Sequence, residues 1–230
     1  MTDSTREQAF QLLWDVAHLE RFQGAANYDL SFSEYSGYEQ GAIYQTKEFN
    51  TPAELVFSGV PKVVKNIDYP LPDNAWPVMS RRMYQTLTAV GDFPHRRLAT
   101  MVISGEGTGS ARFLPEHQVE TPTREVLPAD YLTLQMTTHE DFFDWKNSRY
   151  TRPSQHLPNL LEISEYVLSV TENKPLPPLF RLAADPTVLF ISATARAALK
   201  RAGISGPRYL SLRGYRNGTG DETDVPVVLK

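Results

Sequence analysis

Two segments of the chain carry the same pattern of apolar and polar positions. In the first segment, a short apolar run at residues 76–79 leads to Ser80 and then to apolar positions at helical spacing, which are Met83, Leu87 and Val90. A serine before the first helical turn can accept a backbone N–H bond, and Gly91 follows the last apolar position. The pattern predicts a strand followed by a Ser-capped helix that ends at Gly91.

The second segment repeats this pattern 112 residues later. An apolar run at residues 188–191 leads to Ser192, and Gly203 follows apolar positions at Ala195, Leu199 and Ala202. The same offset pairs Asp73 with Asp185. We interpret the two segments as an internal duplication that forms two similar lobes packed together. Chance similarity of two ordinary strand–helix units is the alternative.

The N-terminal segment shows a helical spacing. A capping box at residues 4–7 precedes four apolar positions spaced i, i+3, i+4 and i+7, which are Phe10, Leu13, Trp14 and Ala17. We therefore expect a first helix that ends near Phe22.

The rest of the chain favours strands. The helical spacing disappears between residues 27 and 65, where aromatic and polar side chains alternate over residues 28–38. Two short apolar runs in this section, residues 42–44 and 55–57, predict strands. Further strands are expected at residues 98–103, 131–136 and 209–212, whereas residues 160–170 fit a strand or a helix. The predicted class is α+β, with mixed short β-strands and short Ser-capped helices in two similar lobes.

This pattern gives a three-part division. Residues 1–66 form an N-terminal helix and a β-rich segment, residues 67–150 form the first lobe, and residues 151–230 form the second lobe. We expect the two lobes to make one compact unit.

Composition excludes several classes of function. The formal net charge is −4 and dense basic runs are missing, so we expect no nucleic-acid partner. Without cysteine, the chain has no disulfides, no thiol catalysis and no Cys-based zinc sites. The N-terminus is polar and no segment reaches 18 uninterrupted apolar residues, so we expect neither a signal peptide nor a membrane partner, and a cytoplasmic location.

No motif specifies a catalytic mechanism. The glycine-rich stretch 105–110 lacks the Lys-Ser/Thr ending of a P-loop, and we read Ser80 and Ser192 as helix caps because no nucleophile-elbow glycines flank them. The densest group of potential metal ligands is His139, Glu140, Asp141 and Asp144; on a helix, Glu140 and Asp144 would share one face. We interpret this group as a charged rim around three aromatic core anchors, Phe142, Phe143 and Trp145, and we expect no metal and no cofactor.

Three stretches together resemble a known family. Residues 180–212 begin with Phe-Arg-Leu, continue with an apolar strand and a Ser-capped helix, and contain a Gly-x-x-Gly turn. Residues 68–83 begin with Asp-Tyr-Pro, and residues 131–150 carry Asp144, Ser148 and Tyr150 at the end of an acidic-aromatic stretch. In this order they resemble the polymorphic-toxin immunity proteins of family eleven. The motifs of that family are structural, so the resemblance transfers no catalytic residue.

The resemblance implies a cytosolic protein that binds one cognate toxin domain, one-to-one, and covers its active site. We expect no enzymatic activity. The candidate partner-binding residues are Tyr35, Tyr38 and Tyr44 in the aromatic-polar stretch 28–44, and Glu140 and Asp141 in the acidic-aromatic stretch. Two alternatives remain open at this point: a small metal-assisted hydrolase that uses distributed His, Asp and Glu side chains, and a structural component of a secretion machine.

Overall fold

The computed structural model confirms the α+β class. It describes residues 9–15, 28–32, 40–49, 54–59, 61–105, 126–127, 130–151, 162–171, 174–210 and 227–229. The strands are β1 Ala9–Trp14, β2 Leu30–Phe32, β3 Leu55–Gly59, β4 Val78–Ser80, β5 His95–Ser104, β6 Tyr131–Met136, β7 Arg149–Thr151, β8 Glu162–Glu165, β9 Leu168–Val170, β10 Leu179–Phe180, β11 Phe190–Ser192, β12 Pro207–Leu210 and β13 Val227–Leu229. The helices are α1 Pro61–Val64, α2 Arg81–Val90 and α3 Ala193–Arg201, with a 3-10 helix at Gln40–Tyr44.

The strands form two larger sheets and two small pairs. The first sheet has the order β2-β3-β5-β6-β4, and the second has the order β10-β11-β1-β12. Strands β7 and β8 pair antiparallel, whereas β9 and β13 pair parallel. Both larger sheets contain a strand–helix–strand unit whose two strands lie on either side of a third, antiparallel strand. This central strand is β6 between β4 and β5, and β1 between β11 and β12.

The 112-residue offset relates the two units element by element. Adding 112 to the residue numbers of β4 gives those of β11. The same offset relates the first residue of β5, His95, to the first residue of β12, Pro207. Both predicted caps are confirmed. The Ser80 hydroxyl accepts a hydrogen bond from the backbone N–H of Met83, and the Ser192 hydroxyl accepts one from that of Ala195.

The predicted N-terminal helix is wrong for residues 9–14, which form strand β1. As the central strand of its sheet, β1 buries both faces: Phe10 and Leu12 lie in one core and Ala9 in another. A strand buried on both faces reads as a near-continuous apolar run, so its spacing also satisfied the helical pattern. The capping box and Ala17 lie outside the described residues.

Most of the other predicted strands are confirmed, and one is wrong. Strands β3, β5 and β6 contain the predicted runs 55–57, 98–103 and 131–136, and residues 160–170 contain strands β8 and β9. The predicted strand at residues 42–44 is wrong, because these residues belong to the 3-10 helix Gln40–Tyr44. Ala42 and Ile43 are both buried in that turn, so two consecutive apolar residues mimic a buried strand.

One hydrophobic core joins the two strand–helix–strand units. It contains Met83 and Leu87 of α2, Ala195 and Leu199 of α3, and apolar side chains from strands β1 and β6. Each of the two larger sheets has one further hydrophobic cluster on its other side. No helix among the described residues is long and apolar enough to cross a membrane.

This shared core predicts a large cost for removing Leu87, whose side chain is fully buried. The substitution Leu87→Ala should lower the free energy of unfolding by about 3 kcal/mol, because it removes buried apolar surface and leaves a cavity. Gln85→Ala, at an exposed position of the same helix, should change that free energy by less than about 0.5 kcal/mol. Urea denaturation of both variants measures the difference, and equal costs would contradict the assignment of α2 to the core.

Candidate functional site

The carboxylate of Asp68 connects residues that are far apart in the sequence. It accepts hydrogen bonds from the hydroxyl of Ser80 (2.6 Å), from the guanidinium of Arg82, and from both the backbone N–H (2.9 Å) and the hydroxyl (3.1 Å) of Ser205. Ser80 and Arg82 begin helix α2, whereas Ser205 follows helix α3. We call Asp68 with these three residues the Asp68 clasp.

Arg82 extends the clasp to the end of helix α3. Its guanidinium donates to the carbonyl oxygens of Ala202 (3.5 Å) and Gly203 (3.2 Å) as well as to Asp68. Carbonyl groups at the end of a helix lack intrahelical partners and carry partial negative charge, so a cation there is favourable. The start of one helix is thereby bonded to the end of the other.

A close backbone approach fixes the loop that carries Ser205. Gly206 has a φ of +98°, and a Cβ at this position would lie 2.6 Å from the carbonyl oxygen of Tyr69. Only glycine fits such a conformation and such a contact without strain. The backbone N–H groups of Asp68 and Tyr69 both donate to the carbonyl of Ser205 (3.1 Å each).

Three residues of the clasp, Asp68, Ser80 and Arg82, line a surface cleft of about 600 Å³. The cleft is lined by Asp68 and its helix-α2 partners, by the Arg81–Asp130 ion pair, by residues 64–67 and by Tyr131. The hydroxyl of Tyr131 donates to the carbonyl oxygens of Val64 (2.6 Å) and Ile67, and burial raises the pKa of that phenol, so it stays neutral.

The polar groups of the cleft are engaged with one another. The Ser80 hydroxyl donates to Asp68 and accepts from Met83, so both of its hydrogen-bonding roles are taken. Burial by itself raises the pKa of the Asp68 carboxyl, but hydrogen bonds from Arg82, Ser80 and Ser205 and the charge of Arg82 outweigh it and hold the pKa below its ordinary value of 3.8. An ionised, fully bonded carboxylate is a poor general base. The clasp therefore supports a structural role.

The structure brings one of the predicted partner-binding residues, Tyr44, close to the segment of Glu140 and Asp141, because the backbone of Tyr44 bonds to the ring of His139. Tyr35 and Tyr38 lie outside the described residues. Tyr44 is half buried, with its ring centroid 4.9 Å from the guanidinium carbon of Arg181. Glu140 is buried, and its carboxylate pairs with the ammonium group of Lys174 (2.6 Å). Asp141 is exposed to solvent.

Sequence reasoning missed the most exposed aromatic residue of this region, Trp145, which was read as a core anchor. Its side chain is 45% exposed, and the ring packs edge-on against Phe143 (centroids 4.8 Å apart) and Tyr150 (5.3 Å). Phe143 is buried, which anchors this ring group to the core. Because the neighbours of Trp145 in the sequence are charged and polar, the pattern of apolar positions alone could not show whether its side chain faces the core or the solvent. We call the exposed side chains of residues 141–150 the Trp145 surface.

Asp144 and Ser148 hold the backbone that presents Trp145. The Asp144 carboxylate accepts from the backbone N–H groups of Lys146 (3.0 Å) and Asn147 (3.2 Å) and from the side-chain amide of Asn147 (2.9 Å). The Ser148 hydroxyl accepts from the N–H of Val167 (2.9 Å) and donates to its carbonyl oxygen (3.1 Å). Residues 144–148 thus form a turn that is hydrogen-bonded to the segment at Val167.

The chain that carries the potential metal ligands near His139 is not helical. Residues 139–144 form extended chain and isolated bridges, so Glu140 and Asp144 do not share a helix face. Within the described part of the chain, no three His, Cys, Asp or Glu side chains are grouped so that they could hold a metal ion.

Comparisons with known proteins leave the resemblance as a prediction. No family model matches the chain. No curated protein matches it either.

The ionised state of Asp68 predicts a pH-dependent stability. Because the folded-state pKa is lowered, the clasp stabilises the protein above about pH 4, and this contribution is lost as the pH falls through the folded-state pKa. Asp68→Asn should lower the free energy of unfolding by about 2 kcal/mol at pH 7, by removing a charge-assisted hydrogen-bond acceptor, and the gap to the wild type should narrow below pH 4.

The control for this prediction is Asp130→Asn. Asp130 pairs with Arg81 at the surface, where both side chains are more than half exposed, so its loss should leave the free energy of unfolding nearly unchanged at either pH. Denaturation at pH 7 and pH 3 compares the two variants. A gap for Asp68→Asn that stays constant over this range would rule out the ionised clasp.

Proposed function

We propose that the chain is a cytoplasmic immunity protein, which binds a cognate bacterial toxin domain one-to-one and covers its active site. The observation that carries the proposal is the Trp145 ring, which is exposed and yet packed against two other rings. A protein that acts by binding needs a surface of this kind and needs no catalytic group.

The Trp145 surface has the features of a binding hot spot. Tryptophan is enriched at such positions because it buries a large apolar area with few rotatable bonds. The contacts with Phe143 and Tyr150 and the Asp144 turn hold the ring before a partner arrives, which reduces the ordering cost of association.

Charged and polar side chains are exposed near Trp145 in the sequence. Asp141, Lys146 and Asn147 are exposed on the same short segment. A polar rim around an aromatic centre is the usual anatomy of a protein–protein interface, because the rim excludes water from the centre and orients the partner. Charges of both signs suit a partner with a mixed surface.

Asp141 and Glu140, which the sequence analysis also named as partner-binding candidates, have different roles beside this surface. Asp141 is available for direct contact with a partner, whereas Glu140 is tied to Lys174 and contributes its backbone to a bridge with Leu182. An interface of standard size, about 1,200–2,000 Å² in total, would extend well beyond residues 141–150.

The test is co-expression with the C-terminal domain encoded by the adjacent open reading frame. If the proposal holds, this domain should arrest growth of a heterologous bacterium, and the chain should relieve the arrest and form a one-to-one complex on a sizing column. Persistent arrest without a complex would reject the immunity function for this pair.

Within that complex, Trp145→Ala should weaken binding by at least about 30-fold, equivalent to about 2 kcal/mol, because it removes the central aromatic anchor. Val126→Ala is the matched control, because Val126 is the other large hydrophobic residue that is exposed in the described part of the chain. It should leave the affinity within about threefold. A complex that tolerates Trp145→Ala as well as it tolerates Val126→Ala would place the interface elsewhere.

A further inference from the structure

A buried arginine lies beside the second sheet. Arg181 directly follows strand β10, and only 2% of its surface is exposed. Its Nη1 donates to the carbonyl oxygens of Pro186 (2.7 Å) and Thr187 (2.8 Å). Arginine is almost never buried to this degree unless an anion compensates its charge, because removing a cation from water is costly.

The described residues supply no such anion. No carboxylate among them forms an ion pair with Arg181, although Asp185 is close enough to act on its charge. The two carboxylate oxygens of Asp185 accept hydrogen bonds from Tyr166 and from Thr187 instead. The Nε of Arg181 is buried and has no hydrogen-bond partner at all. Carbonyl oxygens satisfy one end of the guanidinium but leave its charge without a counterion.

A second buried polar atom without a partner belongs to a neighbouring residue. The Nε2 of His139 makes no hydrogen bond, whereas the ring bonds to the backbone of Tyr44. Burial and the charge of Arg181 lower the pKa of His139, so the imidazole is neutral at pH 7. A bound negative charge would favour the imidazolium, whose Nε2 then donates.

Tyr44 connects this buried pair to the surface. Its ring centroid lies 4.9 Å from the guanidinium carbon of Arg181, and the same side chain is partly exposed to solvent. A water molecule could satisfy the two unpartnered nitrogen atoms, but only an anion would also neutralise the guanidinium. The guanidinium edge that contains Nε is one of those that bind a planar carboxylate with two parallel hydrogen bonds.

We propose that Arg181, His139 and Tyr44 form a binding site for a small carboxylate anion. The carboxylate lies against the Nε edge of Arg181, accepts from Nε2 of His139 and is covered by the ring of Tyr44. The Trp145 surface takes no part in this site, so the proposal stands apart from toxin binding.

The test observes the Nε–H group directly, in the full chain labelled with ¹⁵N-arginine. Sodium acetate is titrated against sodium chloride at equal ionic strength, and Arg181→Lys assigns the resonance. We expect a saturable shift of the Arg181 signal in acetate and none in chloride. Arg97 is the matched control, because it lies over the Tyr84 ring at 5.6 Å but is exposed, and its signal should not move.

Thermal unfolding provides a second measurement. At an acetate concentration of about 100 times the dissociation constant, the melting temperature of the wild type should rise by about 5–10 °C, and Arg97→Met should show the same rise. Arg181→Lys should lose it. Three results would each overturn the proposal: no saturable shift up to about 0.1 M acetate, an equal response to chloride or phosphate, or an unchanged rise of the melting temperature in Arg181→Lys. If that variant fails to fold, the titration of the wild type decides.

Discussion

The Asp68 clasp is the interaction on which the arrangement of the two strand–helix–strand units depends. One carboxylate bonds Ser80 and Arg82 at the start of α2 and Ser205 beyond the end of α3, across 137 residues of sequence from Asp68 to Ser205. Hydrophobic burial holds α2 against α3 but is non-directional, so it does not fix how the helices align. Directional bonds to a buried charge fix that alignment, at the cost of desolvating Asp68.

The same constraint determines where functional surfaces can form. The clasp and the shared core engage the helices and the facing sides of the sheets, leaving the opposite side of the second sheet for its own cluster around Phe143, Phe180 and Phe190. Trp145 rests on that cluster through Phe143, and Arg181 directly follows Phe180 in the chain. Trp145 and Arg181 therefore both lie next to this one aromatic cluster.

Local sequence rules predicted the parts of this fold that are locally determined. A serine cap and a four-residue apolar spacing act within one helical turn, so Ser80 and Ser192 located the helices correctly. The spacing of β1 predicts a helix because nothing local reports its pairing strands, β11 and β12, which lie about 180–200 residues away in the sequence. No local pattern predicts the burial of Asp68 and Arg181, since charged residues are usually exposed and only the tertiary structure buries these two. The repeated offset was the one long-range signal in the sequence.

A double-mutant cycle between Asp68 and Ser205 tests most directly whether the clasp couples the two units. The free energies of unfolding of Asp68→Ala, Ser205→Ala, the double variant and the wild type are measured by chemical denaturation. We predict a single transition and a coupling energy of at least about 1 kcal/mol, because each partner stabilises the other only when both are present. Additive costs, within about 0.5 kcal/mol, or two separate transitions would contradict the account.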